Sequence, residues 1–129
     1  MHTRLKVLIC GLLLTVSAST QAADVAMLLQ KSLPDLDDRE VLMLTVDYAP
    51  GGASPVHRHD AHTFVYVLQG SVVMQVKGQD EVTLSTGATF YETPEDIHVV
   101  SRNASQTEPA RILVFFVKRV GAAPTRPAE

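Results

Sequence analysis

From residue 40 onward the chain alternates short apolar runs with turn residues. Val41–Tyr48 (VLMLTVDY) is a strand candidate, stopped by Ala49-Pro50-Gly51-Gly52. Pro55–His59 reads as extended, because Ser54 precedes a proline and is biased away from the helix. Further strands are predicted over Thr63–Leu68, Val72–Lys77, Glu81–Leu84, Thr89–Glu92, Ile97–Arg102 and Arg111–Lys118, with Gln69-Gly70, Gly78-Gln79-Asp80 and Ser85-Thr86-Gly87 as intervening turns. Short strands in close succession, with no helix of useful length between them, predict an all-β antiparallel sandwich or barrel over residues 40–118. Residues 24–33 (DVAMLLQKSL) are only weakly periodic and read as one helical turn or a loose part of an N-terminal arm, 23–39. The tail, 119–129, is rich in Ala and Pro and reads as flexible. Two strands are apolar on both faces, Phe64-Val65-Tyr66-Val67-Leu68 and Ile112-Leu113-Val114-Phe115-Phe116-Val117. One face belongs to the core. The other needs a second sheet, the arm or another subunit to cover it, which predicts a homodimer.

The first 22 residues follow a different pattern. Arg4 and Lys6 precede the apolar run Val7–Val16, and the small residues Ser17–Ala23 come after it. This order is that of a secretory signal peptide, cut before Ala23. The run is short for a bilayer span, which takes roughly 20 residues, so no membrane span is expected after cleavage. The expected location is the periplasm or outside the cell.

Composition narrows the function. The 129-residue chain carries 11 Lys+Arg against 14 Asp+Glu. A nucleic-acid binder would show a basic excess or stripe, so no nucleic-acid partner is expected. Losing Arg4 and Lys6 with the leader moves the formal charge from −3 to −5. Cys10 leaves with the same segment, so thiol catalysis and thiolate metal sites are excluded from the mature chain. There is no G-x-S-x-G elbow and no phosphate-binding G-x4-G-K-[ST] loop.

What remains is histidine. Four lie between residues 57 and 98, three of them in the string His57-Arg58-His59-Asp60-Ala61-His62. Strand residues i and i+2 share a face, so His57 and His59 project together while Arg58 points away. Two adjacent imidazoles can share one metal ion, and His98 is the remaining candidate for a third ligand.

These residues carry a resemblance. The chain resembles the cupins, small double-stranded β-helix (jelly-roll) proteins with a first motif G-x5-H-x-H-x3or4-E-x6-G. Gly51, His57, His59 and Gly70 stand at the motif spacing. The second motif, G-x5-P-x-G-x2-H-x3-N, is met by Gly87 and His98. The likeness spans roughly residues 40–118 and implies a jelly-roll barrel around a metal site. The chain also departs from the pattern. Thr63 stands where the motif has its carboxylate ligand, Thr93 and Glu95 replace the usual Pro and Gly, and Arg102 occupies the Asn slot, with Asn103 one place later. His62 is a candidate to fill the missing ligand position if the loop before its strand is irregular; in a regular strand it would face away.

The expected metal set is therefore His57, His59, His98 and His62, binding a divalent transition metal drawn from Fe, Mn, Ni, Cu and Zn. A shell of neutral imidazoles leaves the ion its full charge and favours an anionic or chelating small molecule. The expected function is a metal-dependent enzyme, dioxygenase- or isomerase-like, with a non-catalytic metal- or small-ligand-binding protein as the alternative. Glu92, Tyr91 and Tyr66 lie near the motifs and read as packing or a solvated edge, and Arg58 and Arg102 as surface charges able to steer anions.

Overall fold

In the computed structural model, which describes residues 21–128, the alternation becomes two facing antiparallel sheets. One has the order β1 (Asp24–Ser32), β2 (Arg39–Tyr48), β9 (Ala110–Arg119), β4 (His62–Gln69), β7 (Thr89–Glu92). The other runs β10 (Arg126–Pro127), β3 (His57–Arg58), β8 (His98–Asn103), β5 (Ser71–Val76), β6 (Val82–Ser85). β1–β2 and β5–β6 pair within one sheet, while from β2 to β5 and from β6 to β10 successive strands alternate between the sheets, the winding of a jelly roll, and no helix occurs among the described residues. Each strand from β2 to β9 falls on an expected segment, with ends displaced by at most a few residues.

The core follows from period-two burial. Along β2, Leu42, Leu44, Val46 and Tyr48 point inward. Their partners on β9 are Phe116, Val114, Ile112 and Ala110, also buried. Val65 and Val67 on β4 and Val72 and Met74 on β5 complete the cluster. The same alternation turns Glu40 and Lys118 inward as a cross-strand pair. They form a buried ion pair, to which Gln30 Nε2 donates at 2.8 Å and from which Lys118 Nζ reaches the Ala122 carbonyl at 2.6 Å. The charges are compensated, as burial requires. Gly70 makes the β4–β5 turn at φ 71°, where a Cβ would sit 2.6 Å from the Pro109 carbonyl. This explains the glycine at that motif position.

Two expectations are corrected. Residues 24–32 are neither a helical turn nor a loose arm but an edge strand paired along β2. All of its residues are exposed, so no buried face imposes an apolar–polar alternation on the sequence, and a register shift lies between Met27 and Leu29. The expected loose tail folds back, and Arg126 and Pro127 pair with Arg58 and His57. Asp60 holds it through Arg126. Residues 1–20, most of the expected leader, lie outside the described residues. Among the described residues no helix is long and apolar enough to cross a membrane.

Candidate metal centre

β3 is only two residues long, yet it sets the site. His57 pairs directly with His98 of β8. His59 follows on the same inward face, before Asp60 turns the chain at φ 49°. The ring centroids of His57 and His59 lie 4.7 Å apart, those of His57 and His98 5.0 Å, and those of His59 and His98 6.4 Å. All three are buried, each offers a nitrogen within 4.8 Å of the others, and together they can hold a metal ion.

Two of the rings are oriented by carbonyls. His57 Nδ1 lies 2.7 Å from the Pro55 oxygen, and His59 Nδ1 lies 2.9 Å from that of Pro124. A carbonyl only accepts, so each Nδ1 carries the hydrogen and each Nε2 keeps a free lone pair. Burial pushes both imidazoles below their usual pKa of 6.5, opposed at His57 by the Pro55 carbonyl and at His59 chiefly by Glu92. They are thereby held in the neutral form that ligates.

The structure does not bring His62 to this cluster. β4 is regular from its first residue, so His62 takes the outer face and Thr63 the inner one. His62 Nδ1 contacts the Tyr91 hydroxyl at 2.7 Å on the exposed surface. Thr63 is fully buried at the edge of the site. Arg58 bonds Asp60 at 3.1 Å and the Pro94 carbonyl at 3.1 Å, and Arg102 pairs with Glu81 at 3.7 Å. Tyr66 and Tyr91 are exposed.

Glu92 adds a carboxylate to the surroundings of the cluster. Glu92, expected as packing or a solvated edge, is 1% exposed. Its Oε1 lies 3.2 Å from His98 Nδ1 and its Oε2 3.8 Å from His59 Nε2. Neither oxygen has a hydrogen-bond partner, and neither do the two ring nitrogens of His98. Four buried polar atoms without hydrogen-bond partners in one place fit a bound cation.

Beside the cluster lies a cavity of about 400 Å3. Its walls are largely apolar, with Leu44, Val46, Val65, Met74, Ile112 and Phe116 among them. The polar exception away from the histidines is a chain of hydroxyls, Tyr48 to Ser101 at 2.7 Å and to Ser54 at 3.0 Å. Pro124 and Thr125 of the returning tail also line it.

The chain is similar to known proteins. A rhicadhesin receptor of Pisum sativum is 32% identical over 89 residues, 65% of this chain. The match spans 40% of that protein's length. Among solved structures, the DMSP lyase DddQ from Ruegeria pomeroyi superposes with TM-score 0.67 over 82% of this chain and 51% of its own, at 19% identity. Oxalate oxidase in complex with the substrate analogue glycolate does so with TM-score 0.54 over 69% of this chain and 52% of its own, at 26% identity. The family model described as "Cupin domain" matches residues 44–116, a stretch that contains all three clustered histidines. With most of the chain matched and the jelly roll built around that cluster, the chain belongs to the cupin family.

Proposed function

We propose that the protein is a periplasmic or secreted metal-dependent cupin acting on a small organic molecule, with His57, His59 and His98 as ligands to a divalent transition metal (Fe, Mn, Ni, Cu or Zn). The observation that carries this reading is three buried imidazoles gathered beside a largely apolar cavity. When bound, such an ion supplies Lewis acidity, or a redox centre for oxygen chemistry, to a chelating substrate. The chain's own part is to fix the imidazole rings through the Pro55 and Pro124 carbonyls. Apolar walls exclude water, and the Tyr48–Ser101–Ser54 hydroxyls offer hydrogen bonds to a polar group of the substrate. The likeness to oxalate oxidase supports a small carboxylate as substrate, and the reaction we propose on it is dioxygenase- or isomerase-like.

Metal content of the untagged mature protein tests this. About one equivalent of transition metal is expected, and less than about a tenth after reconstitution refutes it. A second reading, a non-catalytic metal- or small-ligand-binding cupin, is favoured by Thr63 standing at the motif's carboxylate position. Oxygen uptake with small chelating acids and diketones, abolished in His98→Ala, supports the enzyme; tight binding without turnover supports the alternative. We also assign the protein as a homodimer, because Phe64, Tyr66, Leu68 and Tyr91 leave an apolar outer face on the β4–β7 side of their sheet. Light scattering of the purified protein checks it, and a monomer at micromolar concentration refutes it.

A further inference from the structure

We infer that Glu92 is the carboxylate ligand of the metal centre, delivered from the strand opposite the place where the first motif expects one. The inference rests on the metal reading above and adds to it a ligand from outside the histidine motifs. Thr63, at the motif's carboxylate position, pairs directly with Glu92 across the β4–β7 ladder. Direct partners on one face carry their Cβ atoms about 5 Å apart, so a side chain from either can enter the same space. Both residues are buried on the inner face, and both border the histidine cluster. Thr63 is too short and too weak a donor to ligate. The longer side chain, with the charge, is on the neighbouring strand.

The surroundings of Glu92 point the same way. A carboxylate removed from water without a partner is strongly unfavourable, yet neither oxygen of Glu92 is hydrogen-bonded. Among the described residues the basic groups within 4 Å of its oxygens are histidines: Oε1 to His98 Nδ1 at 3.2 Å and Oε2 to His59 Nε2 at 3.8 Å. The second contact decides between two roles. A carboxylate that merely steadied His98 would sit behind that ring, away from the ion. His59 Nε2 is the free nitrogen of a ring whose Nδ1 is engaged by Pro124, so it faces the ion's position. An oxygen beside it shares that position. Ligands at about 2.1 Å from one ion, with an angle near or somewhat above a right angle between them, lie roughly 3–3.6 Å apart, so the contact needs only a small shift to close. The centre is then three imidazoles and one carboxylate, and its net charge with a divalent ion falls from +2 to +1.

The test uses the mature protein stripped of metal and titrated with Mn2+ and with Zn2+ against a competing chelator. Glu92→Gln keeps the shape and removes the charge. It is expected to weaken binding by at least about tenfold, and a change under about threefold overturns the inference. Because a residue steadying His98 would also lower affinity, the same substitution is made in a His98→Ala background. A ligand in its own right still costs a further tenfold or so there; no further loss means Glu92 acts only through His98 and overturns the assignment. The relocated pair Thr63→Glu/Glu92→Thr is expected to recover affinity to within about fivefold of wild type. A relocated variant that is folded by circular dichroism but shows no recovery also counts against the inference. Melting of the metal-free proteins supplies a readout of opposite sign. Glu92→Gln without metal melts no lower than wild type, whereas its rise in Tm on adding Zn2+ is smaller. Wild type that binds neither metal refutes the metal reading itself, whereas binding unaffected by Glu92→Gln refutes only this inference.

Discussion

Asn103→Ala is expected to cost about 3 kcal/mol of folding stability, although the residue lies on a strand end far along the chain from the motif histidines of β3. Asn103 is 1% exposed. Its Nδ2 donates to the Glu108 carbonyl at 2.8 Å and the Ala49 carbonyl at 3.0 Å, with the Tyr48 carbonyl more distant at 3.4 Å. Its Oδ1 accepts the Ser105 N–H at 2.8 Å. An amide group has two hydrogens, so the two short donations and the one acceptance are the bonds that count. At about 1 kcal/mol net each they sum to about 3 kcal/mol, with a range of roughly 2–4 as exposed carbonyls regain water. Urea unfolding of the metal-free mature protein measures it: the midpoint falls while the m-value stays constant. Asn103→Asp is a sharper companion, because it keeps the Ser105 bond, loses both donations and buries a charge. It should be no less damaging than alanine. A loss below about 1 kcal/mol for both variants would refute the accounting and show that the 103–108 loop is held by its backbone contacts alone.

Three further outcomes are expected. Metal-free stability should be level above about pH 7 and fall as pH drops through 6.5, because the unfolded chain takes up protons at His57 and His59 there while the folded chain, with both pKa values depressed, does not. Each histidine contributes a slope of at most about 1.4 kcal/mol per pH unit, down to its own depressed pKa, and urea midpoints unchanged between pH 7 and 5.5 would contradict this. His62→Ala should leave metal affinity within about twofold and stability within about 0.5 kcal/mol, since the ring is exposed on the outer face; a chelator titration showing a large loss would reinstate it as a ligand. Asp60→Asn tolerates the left-handed turn but loses the ion pairs to Arg58 and Arg126, so stability should fall by at most about 1 kcal/mol while carboxypeptidase trims the tail faster; equal trimming rates would show the tail is held otherwise.

How much of this was legible in the sequence depended on distance along the chain. The barrel strands and the pairing of His57 with His59 are local, fixed by a period of two, and they read directly. His98 was reachable because the motif spacing marks it. His62 was ambiguous only because its side depends on where β4 becomes regular, and the regular alternation begins at His62 itself. Glu92 was out of reach for a different reason. It faces Thr63, distant along the chain, across two neighbouring strands, a register that no local pattern announces. The missing carboxylate at Thr63 was the signal. What it lacked was the knowledge that β7 lies beside β4. β1 was hidden because it is exposed along its whole length and so carries no buried-face alternation, and the tail by a composition that reads as loose when its placement rests on Asp60 and the Pro124 carbonyl.

The Pro124 contact has a consequence for the lifetime of the protein. A neutral imidazole exchanges its hydrogen between two nitrogens, and only with the hydrogen on Nδ1 can His59 hold the returning tail. An ion on Nε2 would forbid the other arrangement, so loading the centre would secure this contact alongside the Arg126–Asp60 pair and the β10–β3 pairing, and a metal-free centre would hold the chain end less firmly. In a compartment with proteases, metal-free copies would be shortened from the C-terminus first, and metal supply would be written into the length of the surviving chains.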